Sequence, residues 1–88
     1  MSEIEKTIIY NIKTLMFIHN YNLKSLSKIT GIWEGNVSKQ LKGNRSFRTK
    51  HLEQYSKAFK ITPSQLLDKN LITVKINENV ESLRNQHD

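Results

Sequence analysis

Between Trp33 and Arg48 the chain gathers side chains that hydrogen-bond or carry positive charge, and none arranged for covalent chemistry. Glu34, Asn36, Ser38, Lys39, Gln40 and Lys42 follow one another closely, with Val37 and Leu41 among them at an i, i+4 spacing. That spacing gives one apolar stripe on a short helix and leaves the other faces polar. Five Lys or Arg then fall between Lys39 and Lys50 with no acid between them. Donors and acceptors on a helix suit the edges of base pairs in a major groove, and fixed positive charge suits phosphate. An ordinary amphipathic surface helix is the plainer reading of this stretch taken alone.

Charge extends the same argument. From Lys6 to Lys60 eleven Lys or Arg stand against two acids, Glu34 and Glu53, a net +9; the two ends together carry −3. A cationic body with slightly acidic flanks points to nucleic acid, because neutralising phosphates releases counterions. A membrane surface is the weaker partner, since no segment sets a basic face against a bulky apolar one. Other chemistries find no footing. Cysteine is absent, which excludes disulfides and thiolate metal sites. His19, His51 and His87 lie far apart, without ligand partners at metal spacing, and are expected at helix ends or on the surface. No paired carboxylates, nucleophile with base, or Gly-rich phosphate loop appears, so catalysis is not expected. No apolar run approaches a membrane span and no signal-peptide pattern opens the chain, so a cytoplasmic location is the default.

Five helices are predicted to position these groups. Ile4, Ile8, Ile12, Leu15 and Met16, widened by Ile9 and Phe17, predict a first helix over about Glu3–His19. Asn22 is placed to cap a second over Leu23–Thr30, which buries Leu26 and Ile29. Gly31 supplies a left-handed helix stop. The third helix is the polar stretch, ending at Gly43, and a basic loop follows it. Leu52, Tyr55, Ala58 and Phe59 mark a fourth helix that ends near Lys60. Thr62-Pro63-Ser64-Gln65 is a capping box with proline at the first helical position, and Leu66 and Leu67 are expected to face the core behind it. From Leu71 to Ile76 β-branched residues alternate with polar ones, which predicts a strand. A lone strand needs a partner edge, and a second copy of the chain is the economical source. The expected architecture is all-α, a compact five-helix domain over residues 1–70, with a tail over 71–88 that carries Ile72, Val74 and Ile76 for dimerisation.

Two helices joined by Gly31 and a tight turn resemble the lambda-repressor-like, Xre/Cro family of helix-turn-helix DNA-binding proteins. The text that carries the resemblance is Asn22-Leu23-Lys24-Ser25-Leu26-Ser27-Lys28-Ile29-Thr30-Gly31, Val37-Ser38-Lys39 and Leu41-Lys42-Gly43-Asn44-Arg45, then Ala58-Phe59, Ile61-Thr62 and Leu66-Leu67. It covers about Ile8 to Leu67. The resemblance implies that Glu34, Gly35, Ser38 and Lys39 face base edges. It implies phosphate contacts from Asn22 and Lys24 at the start of the second helix, and from Asn36, Lys42, Asn44, Arg45 and Arg48 around the third. Trp33 stands where the family usually has a capping Ser or Thr. Its indole either seals the edge of the core or packs on a sugar or thymine methyl as a further base contact. Gly35 lies inside the third helix, where it lowers helix propensity by roughly 1 kcal/mol relative to alanine. Met16 and Leu41 occupy the places of a family Arg–Glu pair, and an apolar contact can take over there.

The expected function is a sequence-specific regulator that binds double-stranded DNA as a homodimer on a palindrome, a repressor of phage or mobile-element type, with no cofactor. The alternative is an antitoxin or other interaction module that reuses the fold and holds a protein partner through the tail.

Overall fold

The computed structural model describes residues 2–73 and is all-helical over them. Helix α1 spans Glu3–His19. Ser2 caps it by accepting the Glu5 N–H, and Asn20 ends it in the left-handed region at φ 59°. Helix α2, Leu23–Thr30, opens on a reciprocal cap between Asn22 and Ser25 and closes at Gly31, φ 77°. Helix α3 is Glu34–Leu41, α4 is Thr49–Ala58, and α5 is the single turn Pro63–Leu66, opened by the expected Thr62–Gln65 capping box.

One core holds the helices together. Ile8, Ile12 and Leu15 of α1 meet Leu26 of α2, Val37 and Leu41 of α3, Tyr55 of α4 and Leu66 of α5. Helix α2 packs on both α3 and α4, while α1 packs on α3 and α5. Fully burying an apolar side chain of this size stabilises the fold by about 1.5–3 kcal/mol, so short helices persist through their neighbours rather than through propensity. Four polar residues share the interior: Asn11, Thr30, Gln40 and Ser56. Each needs internal partners. The Asn11 amide donates to the Leu66 carbonyl at 2.8 Å and the Asp68 carbonyl at 3.0 Å, which ties the exit of α5 to the middle of α1. Its own carbonyl oxygen has no partner among the described residues.

Several sequence expectations change here. Ile29 is exposed, and Thr30 is the buried residue one place on. Burial of Thr30 is tolerable because its hydroxyl donates to the Leu26 carbonyl at 2.8 Å and accepts from the Ile32 N–H at 3.1 Å. Ile32 in the turn is itself core. Ile4 and Phe17 lie exposed on α1, and Leu67 is exposed beside the buried Leu66.

The strand expected from Leu71 does not begin there. Residues 71–73 are helical, and Leu71 and Ile72 are both buried in the core. Neighbouring residues of a strand point to opposite faces, whereas neighbours on a helix can share a broad buried face. Ile72 is therefore engaged inside its own chain and is not free to pair with a second copy. Val74 and Ile76, the other two expected dimerisation residues, lie outside the described residues, as does the rest of the tail.

Candidate nucleic-acid interface

The turn between α2 and α3 is fixed by short hydroxyl side chains. The Ser27 hydroxyl donates to the Ile32 carbonyl at 2.5 Å, and Thr30 accepts the Ile32 N–H. With Ile32 buried and Gly31 left-handed, α3 leaves the turn in one direction. Helix α3 then seats Val37, Gln40 and Leu41 inward. At about 100° per residue, Gly35 and Lys39 fall opposite Val37 and form the outermost line of the helix. Lys39 is exposed, as are Glu34 at the start of α3 and Lys42 at its end. Ser38 borders one edge of this face, in an apolar groove with Phe17, Leu23 and Leu41. Asn36 borders the other, in a cleft with Arg45, Ser46, Arg48, Lys50 and His51.

The two unusual residues of α3 form a single feature. Trp33 takes the capping position without a side-chain hydrogen bond, and its indole is 68 % exposed. A Cβ on Gly35 would lie only 2.6–3.0 Å from three carbons of that indole ring. Glycine is the residue that lets the ring lie across the first turn of the helix. The indole is too open to seal the core edge, so that option falls away.

The far end of α3 is closed by a left-handed Gly43, φ 80°, with the Gly43 N–H on the Gln40 carbonyl at 3.1 Å and the Asn44 N–H on the Lys39 carbonyl at 2.8 Å. This six-to-one closure satisfies the last carbonyls and turns the chain sharply. Phe47 then anchors the basic loop by packing edge-on against Tyr55, ring centroids 5.9 Å apart. Arg45 and Arg48 stand on either side of that anchor, both exposed, and Arg45 donates to the Asn36 side-chain carbonyl. Among the described residues the five bases from Lys39 to Lys50 pair with no acid; the ion pair found there joins Lys6 and Glu3 on α1. At the start of α2, Asn22 and Lys24 are exposed, and the Asn22 side chain accepts the Ser25 N–H at 2.8 Å as the α2 cap.

Beneath the loop lies a polar relay that the sequence pattern concealed. Gln40 belongs by spacing with the outward polar residues of α3, yet it is fully buried. Its carbonyl accepts from the Tyr55 hydroxyl at 2.6 Å, and its amide donates to the Ser46 carbonyl at 3.3 Å. The same amide nitrogen lies 2.8 Å from Nδ1 of His51. Burial raises the Tyr55 pKa, which keeps the hydroxyl protonated as a donor. Burial, followed by the charges of Arg48, Lys50 and Arg45, lowers the His51 pKa and favours the neutral imidazole. Ser46, Lys50 and His51 are not among the contact residues that the resemblance implies. The run of bases from Lys39 to Lys50 was the available signal for Lys50; nothing local marked His51, because its partners come from α3 and the loop.

No helix among the described residues is long and apolar enough to cross a membrane, and none of their His, Asp or Glu side chains group to hold a metal. A family model for the Cro/C1-type HTH DNA-binding domain matches residues 11–70. Comparison with curated proteins and with solved structures found no match.

Proposed function

Because this chain belongs to the Cro/C1-type helix-turn-helix DNA-binding family, we propose that it represses transcription by laying α3 in the major groove of a palindromic operator, one copy per half-site. The observation that carries the reading is the exposed Lys39 on the outer line of α3, flanked by Lys42, Arg45, Arg48 and Lys50, which pair with no acid among the described residues. In this arrangement Glu34, Ser38 and Lys39 meet base edges, and the indole of Trp33, held over Gly35, supplies an apolar contact for a thymine methyl. Lysine suits guanine O6 and N7, and glutamate accepts from cytosine N4. Phosphates on one side of the groove are taken by Asn22, Lys24 and the first-turn N–H groups of α2, where a helix N-terminus favours anions. Those on the other side are taken by Asn36, Lys42, Asn44, Arg45 and Arg48.

A single short helix covers few base pairs, so a second copy about one helical turn along the duplex completes the operator. A phage or mobile-element setting and a cytoplasmic location fit a regulator of this family. Selection of bound sequences from a random duplex pool tests the proposal. A palindrome with half-sites spaced by about 10 base pairs is expected; a pool that gains no consensus after repeated rounds overturns sequence-specific binding.

A further inference from the structure

Resting on the DNA-binding reading, we infer that His51 is a further phosphate contact, acting as a neutral Nε2–H donor whose tautomer is set by Gln40 and Tyr55. The chain of reasoning starts at a carbonyl. The Ser46 backbone oxygen can only accept, so the Gln40 atom facing it at 3.3 Å is the amide nitrogen. The other Gln40 atom, its carbonyl oxygen, then accepts from Tyr55 at 2.6 Å, and both ends of the amide are assigned without ambiguity. An NH₂ group donates and cannot accept. His51 Nδ1, 2.8 Å from it, is therefore the unprotonated nitrogen, and the ring proton sits on Nε2.

Nε2 bonds to no group among the described residues, and it is not among their buried, unpartnered polar atoms; Asn11 Oδ1 is. His51 lines a cleft with Asn36, Arg45, Ser46, Arg48 and Lys50, and Nε2 is the ring nitrogen left for a partner there. Among these groups Arg45 is already turned to Asn36. A phosphate oxygen drawn in by the three cations meets an N–H that is already aimed and carries no charge of its own. Gln40 is a positioning residue here, since it touches His51 and not the DNA. A protonated ring would set Nδ1–H against the Gln40 amide, donor to donor, beside three positive charges.

The experiment is nitrogen–proton correlation NMR of the histidine rings, together with titrations on mixed-sequence duplex DNA. At neutral pH the folded protein is expected to show His51 with a bare, pyridine-type Nδ1 and a proton on Nε2; the opposite tautomer or an imidazolium overturns the inference. Gln40→Met, which keeps volume but removes the amide, is expected to give a mixture of tautomers where the wild type gives one; an unchanged single tautomer overturns the role of Gln40. His51→Leu is expected to weaken binding about three- to tenfold, the worth of one neutral hydrogen bond, with the salt slope unchanged. A slope lower by about one unit means a charged contact and overturns the neutral donor. Equal binding by His51→Leu and wild type sinks the phosphate contact alone, whereas a wild type that ignores DNA sinks the DNA-binding reading with it.

Discussion

Lys39 and Arg45 lie six residues apart and are both exposed, and the proposed docking sends them to different parts of a duplex. Lys39 projects from the outer line of α3, opposite Val37, which the proposed docking brings against base edges. Arg45 sits in the loop beyond Gly43, turned toward Asn36 at the rim of the cleft. Lys39→Ala is expected to relax sequence choice at one base pair per half-site, at a cost of about 1–3 kcal/mol against the preferred base. Arg45→Ala is expected to weaken operator and scrambled DNA alike and to lower the salt slope by about one unit. Binding titrations of both variants on both DNAs check this; equal weakening by Lys39→Ala on the two DNAs would make Lys39 a phosphate contact. The Trp33–Gly35 pair separates stability from recognition in the same way. Alanine in place of a helical glycine ordinarily adds up to about 1 kcal/mol. Here the new Cβ meets the indole at 2.6 Å, but that ring is largely exposed and free to swing aside. Gly35→Ala is expected to keep or slightly raise the melting temperature, shift the tryptophan emission, and weaken operator binding more than random binding. A variant that melts earlier would mean the indole cannot move.

At the scale of elements, the helices owe their lengths to their ends. Four of them close on a left-handed residue, and α1, α3 and α4 add the same six-to-one backbone bond with different residues at the left-handed position. Asn20 closes α1 and Gly43 closes α3, both suited to positive φ. Helix α4 uses Lys60 at φ 57°, with the Ile61 N–H on the Ser56 carbonyl at 2.9 Å. A lysine there holds a backbone that costs a residue with a Cβ roughly 1–2 kcal/mol, and glycine avoids it. Part of the gain returns to the unfolded chain, which glycine makes more flexible. Lys60→Gly is therefore expected to stabilise the domain by about 0.5–1 kcal/mol, a rise of a few degrees in Tm by calorimetry. A fall in Tm would show that the lysine side chain contributes more than its backbone costs. The lost charge lies at the exit of α4 and outside the cleft lined by Arg45, Arg48 and Lys50, so little change in the salt slope is expected.

For the whole molecule, charge governs association and the core governs integrity. With about six to ten phosphates contacted per complex, affinity is expected to fall by roughly 10³ or more between about 50 and 200 mM salt. An affinity flat over that range would contradict the nucleic-acid reading. The place of Leu71 and Ile72 in the core alters the meaning of truncation. A chain ended after residue 73 keeps both side chains, and one ended after residue 70 loses both. By burial arithmetic the second cut removes about 3–6 kcal/mol, a large share of what so small a domain has. Thermal melting is expected to separate the two chains clearly. Sedimentation of the longer one against the full chain then tests whether residues 74–88 hold two copies together; a full chain that is monomeric at operator-binding concentrations would leave self-association to the DNA.

Local features of this chain were decided by its sequence, and their physics is short-range. The caps at Asn22 and Thr62, the stops at Gly31 and Gly43, the Ile8–Ile12–Leu15 stripe and the basic stretch around α3 each follow from bonds or spacings within a few residues. The family resemblance rested on those same features in order. What tertiary structure decided involves partners distant in the chain. Gln40 belongs by spacing with the outward polar face, but Tyr55 and the Ser46 carbonyl give its amide an interior, and His51 acquires its orientation from that amide. Asn11 is one polar residue on a helix until the carbonyls of Leu66 and Asp68, at and just past the end of α5, arrive to use its NH₂. Leu71 and Ile72 show the limit most plainly. Alternation of β-branched residues allows a strand, yet a strand gains nothing without an edge to join, while the helical turn at residues 71–73 places both side chains in the core.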